Sequence, residues 1–297
     1  MKNQIISLNL VLVVSMLFFV ISGQTYAQVV GKIEHFRDFP SSLIKPRNVD
    51  VWLPEDYNQK EKYAVLYMHD GQMLFEAKNL GVDETLMQLM KDNKIRKTIV
   101  VGIWNTDDYR HSEYFPQKPL AYLPQEKRQM VVKRLLKDNP QADNYLAFIV
   151  KELKPFIDKK FSTQTDPQNT FMAGVSMGGL ISLYAISEYP EVFGGVACIS
   201  THFIGGFDLK DTLIPTAFNE YFRRNLPASK NHRIYFDHGN RGFEFFYAPF
   251  QKAINEIMKE KGYTAKNWET KVFDGDEHET KFWARRLPIP LEFLLKQ

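Results

Sequence analysis

The sequence predicts an α/β sandwich, a mostly parallel central sheet flanked by helices on both faces. Three observations predict it. Strand-like and helix-like segments alternate from Val49 to the C-terminus, with no internal repeat or low-complexity tract. Gly174-Val175-Ser176-Met177-Gly178 sets one serine between glycines, after an apolar run and before an apolar helix pattern, so a strand must turn sharply into a helix there. The chain is also long enough, at 297 residues, to bury one large core, and its single cysteine, Cys198, lies in an apolar run and allows no intramolecular disulfide.

The elements follow in order. Val49–Leu53 and Tyr63–Met68 read as strands because β-branched and aromatic residues dominate them, and a helix follows near Asp83 to Lys91. Thr98–Trp104 is the next strand. A polar and aromatic segment from Asn105 to Ala142 precedes a helix from about Asn144 to Lys159. Asn169–Ala173 and Leu180–Ile186 supply the strand and helix on either side of the serine, and strands follow around Val196 and at Arg233–Asp237. A helix from about Phe245 to Lys261, the strand Trp268–Phe273 and a closing helix near Lys281 to Leu295 complete the chain.

The N-terminus reads differently. Met1-Lys2-Asn3-Gln4 carries one positive charge and leads into Ile5–Ile21, apolar apart from Ser7, Asn9 and Ser15, with small residues at Thr25-Tyr26-Ala27. Residues 1–27 are therefore expected to be a secretory signal peptide, and residues 28–297 one exported domain, periplasmic or secreted, with no stable membrane anchor after cleavage. An uncleaved anchor fits less well, because the stretch is short and interrupted. The net charge of +3 points to no nucleic-acid partner.

The chemistry begins at Ser176. A turn this tight needs small residues two before and two after the serine, pushes its hydroxyl out over the sheet edge, and frees the Met177 N–H at the positive end of a helix for an oxyanion. Of the seven histidines, His278 lies on the loop after the last strand, where a base can reach that hydroxyl. The acid that orients the base belongs between the two in sequence. Glu244, in a glycine-rich loop, is preferred over Asp237, which more naturally bonds backbone amides, and the choice between them stays open. A second oxyanion N–H is expected from Gly71 or Gln72, with His69 buttressing their loop. Neither metal nor cofactor is expected: His278-Glu279 lacks the second histidine of a zinc helix, and no lysine closes a phosphate loop after Gly205-Gly206.

His69-Asp70-Gly71-Gln72, Gly174-Val175-Ser176-Met177-Gly178-Gly179 and Gly275-Asp276-Glu277-His278 together resemble the esterase D / feruloyl esterase-like branch of the α/β-hydrolases. Val101–Asn105, followed by Arg110, Glu113, Tyr114 and Pro116, and the helix Trp283–Phe293 extend the likeness from about Arg47 to the C-terminus. Asn240 replaces the family's usual threonine, and Glu244 stands where many relatives carry aspartate. The resemblance implies an α/β-hydrolase sandwich and a serine esterase working through an acyl-enzyme. Its partner would be a small-molecule or polysaccharide ester substrate, carbohydrate-linked (acetyl or feruloyl) by preference given export. A siderophore esterase, an acyltransferase with the same three residues, or an inactive carbohydrate-binding relative are the alternatives. Trp104, Arg110 and His202 are expected to touch substrate; Tyr109, Tyr114, Phe115 and Tyr122 either line the cleft or pack on the sheet edge. Arg110 is expected to pair with Glu113.

Overall fold

A computed structural model describes residues 29–75 and 79–297. The expected signal peptide lies outside the described residues. The sheet has eight strands: β1 (Lys32–Phe39), β2 (Arg47–Leu53), β3 (Ala64–His69), β4 (Thr98–Ile103), β5 (Thr170–Val175), β6 (Gly195–Ile199), β7 (Arg233–Gly239) and β8 (Trp268–Phe273). Their spatial order is β1-β2-β4-β3-β5-β6-β7-β8. The pairs β1–β2 and β2–β4 are antiparallel, and every pair from β4 to β8 is parallel. The predicted α/β sandwich is therefore the observed one.

Period-two alternation divides each strand between two cores. Val65, Tyr67, Val101, Met172, Val196 and Cys198 face one core with the helices α4 (Ala142–Phe148), α6 (Met177–Glu188), α7 (Leu213–Asn225) and α8 (Ala248–Glu260). Leu66, Met68, Val100, Ala173, Ala197 and Tyr235 face the other, covered by α1 (Val82–Lys91) and α10 (Pro288–Leu295). Helix α6 is buried from Met177 to Ser187, which is why its sequence shows almost no polar stripe.

The remaining helices are α2 (Arg110–Tyr114), α3 (Gln125–Arg134), α5 (Lys154–Lys160) and α9 (Thr280–Arg286). The expected helix over 144–159 is α4 and α5 joined through a π-helical turn at Ile149–Leu153. The closing helix splits at Leu287, because Pro288 and Pro290 lack the N–H groups that would continue it. Strand β1 and helices α2, α3 and α7 have no counterpart among the expected elements. The strand KIEHFRDF sits at the sheet edge with only Phe39 buried, so it carries little apolar signal. Among the described residues no helix is long and apolar enough to cross a membrane.

Candidate active site

The loops after β3, β5, β6, β7 and β8 meet at the C-terminal edge of the parallel strands, where ligands bind in open α/β sheets. At the end of β5, Ser176 takes φ 59° and ψ −118°, a conformation disfavoured for any residue with a side chain. Its surroundings hold it there. The Ser176 N–H donates to Ile199 O at 2.9 Å, and its carbonyl accepts from Gly179 N (3.1 Å), Leu180 N (3.2 Å) and His202 N (3.2 Å).

The glycines serve this turn in distinct ways. A Cβ on Gly174 would fall 2.5 Å from the Gly178 carbonyl carbon, so strand and helix meet backbone to backbone. One on Gly179 would fall 2.7 Å from Thr201 Oγ1. A Cβ on Gly178 would meet nothing nearer than 3.4 Å. Gly174→Ala is accordingly expected to destabilise the protein by about 2–3 kcal/mol, and Gly178→Ala by clearly less; urea unfolding of the two variants tests that order, and equal costs would contradict it.

Ser176 Oγ lies 2.9 Å from His278 Nε2, and His278 Nδ1 lies 3.0 Å from Glu244 Oε1. Glu244 is fully buried, and Oε1 also accepts from Ser200 Oγ (2.5 Å) and Trp283 Nε1 (3.3 Å), while Oε2 accepts from the Gly239 N–H. Burial alone would raise its pKa. The hydrogen bonds from His278, Ser200 and Gly239 and the charge of Arg286 outweigh burial and hold the carboxyl at about 2, so it is ionised at any working pH. Asp237, the other acid of the sequence reading, lies within β7 and faces away: Oδ1 accepts from Ser200 N (3.2 Å) and Arg286 Nη2 (3.0 Å). Burial pushes its carboxyl up to about 6 against the pull of Arg286.

The Met177 N–H opens α6, and the N–H groups of Gly71 and Gln72 open a short 3₁₀ turn, Gly71–Met73. None of the three has a protein acceptor among the described residues. The chain reaches that turn through Asp70 at φ 58°. Gly71 is required by packing rather than by ligand approach, since a Cβ there would lie 2.6 Å from the Gly102 carbonyl carbon and 2.7 Å from Trp104 Cδ1.

A cleft of about 510 Å³ opens in front of Ser176 and His278. Met73, Leu80, Val175 and Trp283 form its apolar side; Asp70, Gln72, Asn105, Asp107 and Arg110 form its polar side. Arg110 grips Asp70 with two bonds, Nε to Oδ1 at 2.7 Å and Nη2 to Oδ2 at 2.8 Å, and Asn105 Nδ2 adds a third to Oδ1 at 2.7 Å. Although burial raises the Asp70 pKa, these partners lower it overall.

Of the three expected substrate contacts, only Arg110 reaches this cleft. Trp104 spends its indole N–H on Asp50 Oδ2 at 2.8 Å. His202 is buried, with one ring nitrogen on Tyr247 Oη (3.1 Å) and the other on Gly206 O (3.0 Å). Both are held by internal bonds. Glu113 pairs with Arg47, through bonds of 2.7 and 2.9 Å, and not with Arg110. Tyr114 and Phe115 are packed in the core, while Tyr109 lies under the Lys45 ammonium. His69 does support its loop: it bonds Tyr145 Oη at 2.7 Å and stays neutral, since burial lowers its pKa to about 3.

Sequence reasoning did not foresee the roles of Ser200, Trp283 and Arg286. Trp283 and Arg286 are three apart on α9, on one helix face. Arg286 Nη2 reaches Ser200 Oγ and lies 3.6 Å from Glu244 Oε2. That spacing was the available signal.

The order of the strands, the strained serine turn and the Ser176–His278–Glu244 geometry define an α/β-hydrolase. The Esterase family model matches residues 41–292, so the chain belongs to that family and is a carboxylic ester hydrolase. The uncharacterized protein YbbA of Bacillus subtilis (strain 168) is 24% identical over 255 residues, covering 84% of this chain and 92% of YbbA. A ferulic acid esterase superposes with a TM-score of 0.62 at 19% identity, over 90% of this chain and 98% of its own. The enterobactin esterase FES from Shigella flexneri gives a TM-score of 0.69 at 17% identity; 91% of this chain is covered, but only 60% of the longer FES.

Proposed function

We propose that the protein is an exported serine esterase that cleaves carbohydrate-linked esters, feruloyl or acetyl, through an acyl-enzyme. The observation that carries the reading is the unbroken line from Ser176 Oγ through His278 to the buried, ionised Glu244. Glu244 accepts the Nδ1–H, which leaves Nε2 bare to take the serine proton as Oγ attacks the ester carbonyl. The developing oxyanion is stabilised by the N–H of Met177 together with that of Gly71 or Gln72. His278 then gives the proton to the leaving alkoxide, the acyl group stays on Oγ, and water repeats the sequence in reverse to release the acid.

Three things support the substrate class. The N-terminal sequence has the pattern of an export signal. The cleft is larger than an acetyl group needs and offers Met73, Leu80, Val175 and Trp283 to a flat acyl group, with Asn105, Asp107 and Arg110 for its polar end. The likeness to a ferulic acid esterase points the same way. The likeness to FES supports a second reading, a siderophore ester; kcat/KM on a feruloyl ester and on enterobactin, measured side by side, separates the two.

The test of the mechanism is a fluorophosphonate reaction followed by peptide mapping. One adduct on Ser176 is expected, lost in His278→Ala; a folded protein that takes up no label would sink the reading.

A further inference from the structure

A second histidine stands behind the first. Tyr247, which precedes α8, is 3% exposed, and its ring meets the His278 ring edge-on at 5.7 Å and 76°. Its phenol oxygen lies 3.1 Å from His202 Nδ1, 3.5 Å from His278 Nδ1 and beside the Ser176 side chain.

The direction of each proton follows from one carbonyl. Gly206 O can only accept, so His202 Nε2, 3.0 Å away, carries a hydrogen. Burial lowers the His202 pKa to about 4, so the ring is neutral and its Nδ1 is bare. Nδ1 must therefore accept the Tyr247 O–H. With that proton committed, the phenol oxygen turns its lone pairs toward the His278 ring, whose own Nδ1–H is already engaged by Glu244 at 3.0 Å. At 3.5 Å the phenol contact is electrostatic rather than a hydrogen bond.

We propose that Tyr247, oriented by His202, is a positioning residue that stabilises the positively charged form of His278 during proton transfer. The inference rests on the esterase reading, because a charged His278 matters only if it takes the Ser176 proton. The groups facing His278 are Ser176, Glu244, Tyr247, Phe243 and Trp283, with His202 behind Tyr247 and Arg286 behind Glu244. Of these, Glu244 supplies the full negative charge and Tyr247 a partial one, both on the Nδ1 side of the ring.

Tyr247→Phe keeps the ring and removes only the oxygen. It is expected to lower kcat about tenfold at unchanged KM, and to move both the acid limb of kcat/KM and the NMR titration of His278 to lower pH. His202→Leu should do the same, and the double variant should be no slower than the slower single. Should His202→Leu not fold, Tyr247→Phe decides alone. A Tyr247→Phe enzyme with the wild-type kcat and His278 titration overturns the proposal, as does a loss of thermal stability with neither change. The NMR titration needs no turnover: a wild-type protein inactive on every ester, whose His278 titration still falls in Tyr247→Phe, refutes the esterase reading and supports the Tyr247 contact.

Discussion

Ser176→Ala is expected to reduce kcat on an aryl ester by about 10⁴–10⁶-fold while leaving the unfolding free energy within about 1 kcal/mol of wild type. The hydroxyl is the only atom removed, and alanine tolerates φ 59° no worse than serine does. The loss is large because the three residues act as one unit: without Oγ, His278 and Glu244 have no proton to move. His278→Ala should therefore fall nearly as far, and the double variant hardly further. A Ser176→Ala protein that retained turnover would place the chemistry elsewhere. If wild type and variant bound a carbohydrate equally and neither cleaved an ester, the inactive binding relative would be the better description. Product analysis in the presence of an alcohol or sugar acceptor separates hydrolysis from acyl transfer, which uses the same three residues: transfer product exceeding hydrolysis at modest acceptor concentration would favour the transferase.

Arg286→Met should have the largest effect on stability, a loss of about 3–5 kcal/mol. Arg286 is 2% exposed and lies 3.0 Å from Asp237 and 3.1 Å from Asp276, with Glu244 close behind. Methionine fills much of the volume but leaves buried carboxylates uncompensated. The loss is also pH-dependent, and Asp237 sets its sign. Its folded pKa of about 6 lies above the ordinary carboxylate value, so the folded state holds this proton more tightly than the unfolded one. Its contribution to stability therefore falls as pH rises from about 4 through 6, and levels off above. Removing Arg286 pushes that pKa up further, so the deficit of the variant should be smaller at pH 5 than at pH 8. Asp237→Asn in the Arg286→Met background should recover part of it. Denaturant titrations of the three proteins at both pH values check this, and a deficit that did not change with pH would show that Asp237 is not the stranded charge.

The parts of the fold that were legible in the sequence are those in which one segment's own pattern decides its structure. The buried strands β2 to β7 are short apolar runs, and a chain alternating such runs with helices has few alternatives to a mostly parallel sheet. Strand β1 and helices α2, α3 and α7 are not legible in the sequence, and β1 and α7 show two different reasons. β1 pairs on one side only and remains largely exposed. Helix α7 has an apolar stripe, Ile214, Phe218, Tyr221 and Phe222, but it begins in a loop of aspartates that reads as a turn. Of the candidate site, the sharp turn at Ser176-Met177 was legible from its glycines, and the approach of His278 to Ser176 from its place after the last strand. The placement of Trp104 and His202 away from the cleft was not. Trp104 and His202 sit at strand ends as expected, yet a position in sequence says nothing about which neighbour claims a ring nitrogen, and Asp50, Gly206 and Tyr247 claimed theirs.

By itself the sequence determined the class of fold, the serine turn and the residue types of the site, because backbone sterics at Gly174-Val175-Ser176-Met177-Gly178 and the period of apolar residues are local properties. Only the tertiary structure decided which acid reaches His278. Glu244 and Asp237 are seven residues apart, both wholly buried, and equally carboxylates. Packing turns Glu244 toward His278 and surrounds it with donors that hold it ionised, while the same packing points Asp237 at Arg286 and Ser200. Solvation and hydrogen bonding separate two like groups only after distant segments of the chain, here β6, β7 and α9, have been brought together.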